Sequence, residues 1–144
     1  PLLAEARGVD VGMTTDAHSE DYRNVLTIRG VLGDGTQVSA SATLTGAKQT
    51  EKLVEVNGYE IEVPLSAHHI VMMYEDRPGI VAIYGRAFGD AQINIAGMQI
   101  ARDKIGGQAL SVLTVDSRVP DELIAQVAAS IEATVMAPID ILEL

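Results

Sequence analysis

The sequence predicts an α+β protein with two antiparallel β-sheets, in which both helices belong to the second half of the chain. Residues 9–63 are rich in Val, Ile, Thr and Ser that alternate with polar residues between turn signals, a pattern typical of antiparallel strands. From residue 68 onward, apolar strand-like runs alternate with two stretches of helical periodicity. We therefore predict a small, partial β-rich domain over residues 1–65 and an α+β domain over residues 66–144.

Five strands are predicted in the first domain, and two turn signals set their pairing. Gly33-Asp34-Gly35 predicts a hairpin between the second and third strands, and Asn57-Gly58 predicts one between the fourth and fifth. The predicted strands are Val9 to Thr15, Asn24 to Leu32, Gln37 to Thr45, Lys52 to Val56 and Tyr59 to Val63. A domain of roughly 60 residues has a thin core, so we expect this sheet to pack on a partner or on another layer.

The two ends of this domain are also informative. Residues 1–8 resemble the last turns of a helix, and the chain does not begin with Met, so we expect it to be part of a longer protein. Pro64 to Ala67 is interpreted as a short linker to the second domain.

The second domain begins with a buried strand and a helix. Ile70 to Tyr74 is almost wholly apolar, as expected of a central strand. A helix should follow the Asp76-Arg77-Pro78-Gly79 turn, with Gly89 at its C-terminal end. The apolar residues that recur at helical spacing are Ile80, Val81, Ile83, Tyr84, Ala87 and Phe88.

The remaining elements complete a strand, helix, strand, strand, helix, strand order. Strands over Ile93 to Arg102 and Gln108 to Val115 should be joined by a hairpin at Ile105-Gly106-Gly107. Pro120 is predicted as the first residue of the second helix, and Ile139 to Leu142 as the last strand. The second helical stripe consists of Leu123, Ile124, Val127, Ala128 and Ile131. This order gives a ferredoxin-like sandwich, in which two helices cover one face of a four-stranded sheet and leave its other face and both edges open.

The turn before the first helix has the chemistry of a binding site for a free amino acid. Pro78 presets the first helical φ, and Gly79 removes the side chain that would keep a ligand away from the free N–H groups of the helix. A ligand carboxylate suits these N–H groups, and a ligand ammonium suits the carboxylate of Asp76. Two simpler interpretations remain open: Asp76 only caps the helix, and Tyr74 only fills the core.

Composition excludes several classes of function. The formal net charge of −10, with only ten Lys and Arg residues in 144, argues against nucleic acid or an anionic membrane as a partner. There is no Cys, which excludes disulfides, thiol catalysis and thiolate metal sites. No apolar run approaches the roughly 20 residues of a membrane span and no signal peptide is visible, so we expect a cytoplasmic location.

Neither a metal site nor a catalytic or dinucleotide-binding site is predicted. His68 and His69 are adjacent on a strand, so their side chains point to opposite faces and cannot chelate one metal. Gly30, Gly33 and Gly35 do not form a G-x-G-x-x-G motif, and no helix follows them. No nucleophile stands beside a base in a recognisable motif, so we expect no catalytic residue, no cofactor and no dehydrogenase activity in this chain.

Three segments of the second domain resemble the ACT family, the ligand-binding modules appended to enzymes of amino-acid metabolism. They are the Asp76-Arg77-Pro78-Gly79 turn, Ile93-Asn94-Ile95 and Ile105-Gly106-Gly107, and the similarity covers about residues 68–144. The whole chain resembles the C-terminal regulatory part of bacterial long-type D-3-phosphoglycerate dehydrogenases, in which an intervening domain precedes the ACT domain. For the intervening domain, the resemblance rests on Gly46, Lys52, Ile61 and Val54-Glu55-Val56-Asn57-Gly58.

The resemblance implies feedback control. L-Serine, the end product of the pathway, would bind between two ACT domains and slow an NAD-dependent dehydrogenase located elsewhere in the parent chain. It implies a site made of Tyr74 and Asp76 from one subunit and Asn94 from the facing subunit, where several relatives have His and Asn at the first two positions. The other residues expected to bind the ligand at this site are Arg77, Pro78, Gly79, Ile80 and Ile95. The expected partners are therefore a free amino acid and further copies of the chain, as a dimer or tetramer.

Two other functions stay open. The pairing of domains also resembles the regulatory part of an L-serine dehydratase. Alternatively, the chain is an oligomerisation module without a ligand, in which Asp76 caps its own helix and Asn94 satisfies backbone groups. Some relatives bind an anionic effector in the intervening domain through a basic cluster, but Lys52 is the only cation near the matching strands, so we expect no strong anion site here.

Overall fold

The computed structural model describes residues 6–18 and 21–141, which form two four-stranded antiparallel sheets and two helices. The first sheet has the order β1-β2-β3-β4, with β1 (Leu26–Val31), β2 (Gln37–Thr45), β3 (Thr50–Val56) and β4 (Tyr59–Pro64). The second has the order β6-β7-β5-β8, with β5 (His68–Glu75), β6 (Ile95–Arg102), β7 (Gln108–Val115) and β8 (Val135–Asp140). Helix α1 (Ile80–Asp90) connects β5 to β6, and α2 (Asp121–Ile131) connects β7 to β8.

The predicted α+β class, with a ferredoxin-like second half after a β-rich first half, is confirmed. Both helices follow a strand of the second sheet and pack on one face of it. Neither of these two helices is long and apolar enough to cross a membrane.

Two predicted strands differ from the structure by more than two residues at an end, and the ends of the others agree within two residues. Val9 to Thr15 is irregular and its large apolar side chains are exposed, because no neighbouring strand pairs with it in the described part of the chain. The last strand begins at Val135 instead of Ile139, because β8 is an edge strand and an edge strand tolerates Pro138, which has no N–H to donate. Leu142, at the end of the predicted last strand, lies outside the described residues. So do residues 1–5, which belong to the predicted helix end.

Two predicted helix ends are also wrong. Gly89 lies inside α1, which continues to Asp90, and the residue with positive φ beyond it is Gln92, whose N–H donates to the carbonyl of Gly89 at 2.9 Å. Pro120 precedes α2 with an extended ψ of 143°, so it is the N-cap and not the first helical residue. Its carbonyl accepts the first helical bond, from the N–H of Ile124 at 3.1 Å.

The main core lies between the helices and the second sheet. Every second residue of β5 points toward the helices, and α1 and α2 contribute matching apolar stripes. The fully buried members from the strands are Ile70, Met72, Ala109 and Leu113, and those from the helices include Tyr84, Phe88 and Val127. This packing holds α1, and the turn that precedes it, against the end of β5.

The other face of the second sheet is covered by the first sheet, as expected for a thin sheet that needs another layer. Val56, Ile61 and Val63 pack against residues of the two central strands, β5 and β7. Those partners are Val71, Leu110 and Val112. The central strands are therefore buried on both faces, which explains why Ile70 to Tyr74 lacks the alternation of a half-exposed strand.

The outer half of the first sheet has no such cover. On β1, Leu26 and Ile28 are each 68% exposed and Val31 is 69% exposed. β1 is also the edge of its sheet, so its outer backbone groups have no partner strand in the described chain. The apolar residues of β3 and β4 are thus covered by the second sheet, whereas those of β1 are open to solvent.

Tyr74 is a core residue with a buried polar contact. Its side chain is 2% exposed, and its hydroxyl shares a 2.6 Å hydrogen bond with Ser111 Oγ, which is fully buried. Tyr84 lies beside this pair, and burial, with a smaller contribution from Tyr74, raises the pKa of Tyr84 to about 12. The three hydroxyls fit an apolar core because each has a hydrogen-bond partner.

We predict that the substitution Ser111→Ala lowers the free energy of unfolding by about 1–3 kcal/mol, the usual effect of leaving one buried hydroxyl without its partner. Tyr74→Phe should have a similar effect, and the double variant should lose less than the sum of the two single variants, because it removes both partners together. Urea denaturation of the four proteins measures this coupling. Strict additivity would mean that the hydrogen bond does not contribute.

His69 holds the linker between the two sheets. Its side chain is 4% exposed, Nε2 accepts the backbone N–H of Ser66 at 2.8 Å, and Nδ1 lies 3.3 Å from Thr114 Oγ1. Burial is the main cause that lowers the pKa of His69 from its ordinary value of 6.5. A proton on Nε2 would also remove the acceptor for Ser66, so the folded chain favours the neutral ring.

We predict that stability falls as the pH drops below 6.5, because the unfolded chain then binds a proton that the buried ring of His69 resists. Above 6.5 both states are neutral and this contribution is constant. Glu55 and Asp76, whose pKa values are lowered, lose their charge in a more acidic range and do not contribute just below 6.5. Melting temperatures from pH 8 to 5 test this: His69→Gln should flatten the slope, and His68→Gln, on the opposite face, should retain it.

Candidate functional site

The turn from β5 to α1 presents an open helix N-terminus. Gly79 adopts φ +95° immediately before α1, a conformation that is strained for other residues, and no atom lies within 4 Å of the position its Cβ would occupy. In the described chain no side chain caps the first turn of α1, which also contains no acidic residue. The first N–H groups of the helix are therefore available to an anion, as predicted from Pro78-Gly79.

Asp76 does not cap the helix. Its Oδ2 accepts a hydrogen bond from Arg102 Nη1 at 3.0 Å and one from the backbone N–H of Gly106 at 3.3 Å, while its own N–H donates to the carbonyl of Gly107 at 2.7 Å. Asp76 thus joins the end of β5 to the β6–β7 hairpin. The hydrogen bond from Arg102, followed by that from Gly106, lowers the pKa of Asp76 below its ordinary value, so the group is a carboxylate at neutral pH.

The remaining residues of the turn are fixed by other parts of the fold. Arg77 Nη2 donates to Glu132 Oε1 at 2.9 Å and to the carbonyl of Ile131 at 3.4 Å, which ties the turn to the end of α2. Ile80 is 2% exposed and anchors the start of α1 in the core. Pro78 and Gly79 are exposed between these two anchors, so the turn is rigid at its base and accessible at its tip.

The structure does not bring Asn94 or the Tyr74 hydroxyl to this turn. Tyr74 points into the core toward Ser111, whereas Asn94 lies just before β6 and donates through Nδ2 to Asp116 Oδ2 at 2.9 Å. Asp76 follows Glu75, which pairs with Gln108 at the start of β7, while Ile95 pairs with Val115 at its end. Asp76 and Asn94 are therefore at opposite ends of the sheet, and one small ligand can contact both only across two chains.

Two residues of the site were missed by the sequence reasoning. Arg102 and Gly106 both bind Asp76, and neither was assigned a role beyond the strand and turn that contain it. The available signal was the hairpin register, since Arg102 ends β6 directly before the turn that leads back to β7 beside β5. A charged residue at the end of β6 therefore lies near the residue that follows β5.

The open edge next to this site is apolar. β6 is an edge strand, and it presents Met98 and Ile100 on the side where the Tyr84 hydroxyl of α1 donates to Met98 Sδ at 3.0 Å. Val81 and Ile83 of α1 are also exposed. An unpaired strand edge beside exposed apolar residues has the features of a surface that pairs with another chain.

The other candidate sites are not assembled. Lys52, the one cation considered for an anion site, forms an ion pair with Glu62 at 2.9 Å. His68 and His69 point to opposite faces, toward Asp140 and Ser66 respectively. Within residues 6–18 and 21–141, no group of three or more His, Asp or Glu side chains is placed to hold a metal ion.

Comparison with known proteins finds a matching family and several relatives. Residues 68–132 match the model of the ACT domain family. The chain is 32% identical to D-3-phosphoglycerate dehydrogenase of Mycobacterium tuberculosis over 141 residues, which is 98% of this chain and 27% of that protein. It is 33% identical to the Mycobacterium leprae enzyme over 92% of this chain and 25% of that protein, and 29% identical to the Bacillus subtilis enzyme over 86% and 23%.

The chain spans about a quarter of the length of these curated relatives. The similarity extends through the first sheet as well as the second, because it covers nearly the whole chain. Residues 68–132 are therefore an ACT domain, and the chain as a whole corresponds to the C-terminal region of D-3-phosphoglycerate dehydrogenases.

Proposed function

We propose that this chain is a regulatory region that binds a free amino acid, with L-serine as the ligand, and that it provides feedback control of an NAD-dependent D-3-phosphoglycerate dehydrogenase. The observation that carries the proposal is the open N-terminus of α1 beside the ionised carboxylate of Asp76. Free N–H groups attract a ligand carboxylate, and Asp76 attracts a ligand ammonium. A free amino acid carries both of these groups.

The relatives named above are D-3-phosphoglycerate dehydrogenases, and this supports the proposed parent enzyme. L-Serine and feedback are proposed from the resemblance to ACT domains, which are modules for amino-acid binding. Catalysis and NAD binding would belong to parts of the enzyme that precede this chain. An L-serine dehydratase is the less favoured parent, because the three relatives named above are all D-3-phosphoglycerate dehydrogenases.

The site requires two copies of the chain in this proposal. Asp76 and Asn94 lie at opposite ends of one sheet, so an antiparallel pair of chains would place the Asp76 end of each beside the Asn94 end of the other. A two-fold pair of this kind forms two equivalent sites. The edge of β6, with exposed Met98 and Ile100, is the surface we assign to this pairing.

A scaffold without a ligand is the main competing function. It was expected to use Asp76 as a helix cap, but the carboxylate binds Arg102 and Gly106 and the helix start is left open. An oligomerisation surface alone does not require an uncapped helix beside a carboxylate. This contrast favours sensing over scaffolding.

We predict that Asp76→Asn and Asn94→Ala each weaken L-serine binding by about tenfold or more, because each removes a charge-assisted or buried polar contact to the same ligand. The double variant should lose less than the sum of the two effects, since either change already releases the ligand. Isothermal titration calorimetry against L-serine, D-serine, glycine and valine measures both affinity and specificity. Asp90→Asn, at the far end of α1, is the matched control. Unchanged affinity in both single variants would exclude this site.

We also predict that the chain is a dimer or larger assembly in solution, with a mass above the 15.3 kDa of one chain. Ile100→Glu should shift it toward the monomer, because a buried carboxylate at an apolar strand edge has no partner. Val11→Glu places the same charge at an exposed apolar residue outside the sheets and serves as the control. Light scattering at micromolar concentration distinguishes these cases, and a monomeric parent chain would contradict the shared site.

A further inference from the structure

Arg102 occupies the acceptor that the proposed ligand needs. Its Nη1 donates to Asp76 Oδ2 at 3.0 Å, and this is the carboxylate assigned above to the ligand ammonium. We propose that Arg102 is an internal competitor, whose guanidinium holds the ammonium position of Asp76 when no ligand is bound and lowers the affinity of the site for a free amino acid. The inference rests on the proposed function, because it concerns the same site.

The competition does not depend on which oxygen the ligand takes. A ligand ammonium on Oδ2 must compete with Arg102 and the N–H of Gly106, which already share that atom. An ammonium on Oδ1 would lie within a few ångströms of the guanidinium, and two cations at that distance repel each other. In both cases the positive charge of Arg102 opposes binding of the ligand.

Arg102 is also able to leave. Its side chain is 53% exposed at the end of the edge strand β6, so the guanidinium can move into solvent without opening the core. An ion pair in such a place is weak, because water and salt compensate both charges. A ligand that is also held by the N–H groups of α1 makes more contacts than Arg102 and can therefore displace it from Asp76.

Exchange of Arg102 for a ligand would change the contacts of the β6–β7 hairpin but would leave its turn closed. Asp103 Oδ1 accepts the N–H of Gln108 at 2.8 Å and that of Lys104 at 2.6 Å, and these bonds close the turn independently of Asp76. The N–H of Asp76 keeps its bond to the carbonyl of Gly107 at 2.7 Å. A ligand ammonium that also replaces the N–H of Gly106 on Oδ2 frees the tip of the hairpin, including the exposed Ile105, while the base of the hairpin stays closed.

Calorimetry of the whole chain with L-serine tests the inference through Arg102→Gln. The expected result is about two- to fivefold tighter binding, the range in which an exposed ion pair competes. Arg102→Lys, which keeps the charge, should bind close to wild type. Arg86→Gln is the control for the loss of one exposed cation, because Arg86 pairs with Asp90 at the other end of α1.

The outcomes separate this inference from the proposed function. Equal or weaker binding by Arg102→Gln, with wild-type protein that binds L-serine, would overturn the competitor role and leave the function standing. No binding of any amino acid by wild type would overturn both. Should Arg102→Gln not fold, NMR of the wild type decides: saturation with L-serine should move the Gly106 amide and Arg102 side-chain resonances, and unchanged resonances would refute the displacement.

Discussion

The burial of β5 and β7 on both faces is the constraint on which the rest of the structure depends. On β5, Ile70 and Met72 face the helices and Val71 faces the first sheet. A slip of one residue would exchange these two sets and place the Tyr74 hydroxyl between the sheets, away from Ser111. The register is therefore fixed from both sides. The position of Asp76 beside the hairpin follows from core packing and not from the turn alone.

Elements with strong local signals could be predicted from the sequence, and those defined by their neighbours could not. The bounds of β2 and β7 match the prediction, and the turn at Asn57-Gly58 has the positive φ values that its sequence requires. Val9 to Thr15 alternates as a strand does but has no partner to pair with. β8 contains a Pro that argues against a strand until its edge position is known.

The candidate site shows the same division. The chemistry of the helix start depends on adjacent residues, so Pro78-Gly79 could be interpreted from the sequence. The contact between Asp76 and Arg102 spans 26 residues and arises only when the hairpin register is formed. Tyr74 was assigned to the ligand by resemblance, but it shares the parity of Ile70 and Met72 on β5, which places its ring in the core. The sequence did not show which face of β5 Tyr74 lies on, because both faces of this strand are apolar.

The uncovered apolar residues of β1 affect how readily the chain associates with itself in solution. Leu26, Ile28 and Val31 lie on a strand edge that can template pairing with other molecules. The net charge of −10 opposes such contacts by mutual repulsion, and this repulsion has a range set by the ionic strength. Solubility of this chain therefore depends on long-range charge and not on the shape of its surface, and concentrated salt or a pH near 4.5 removes the protection.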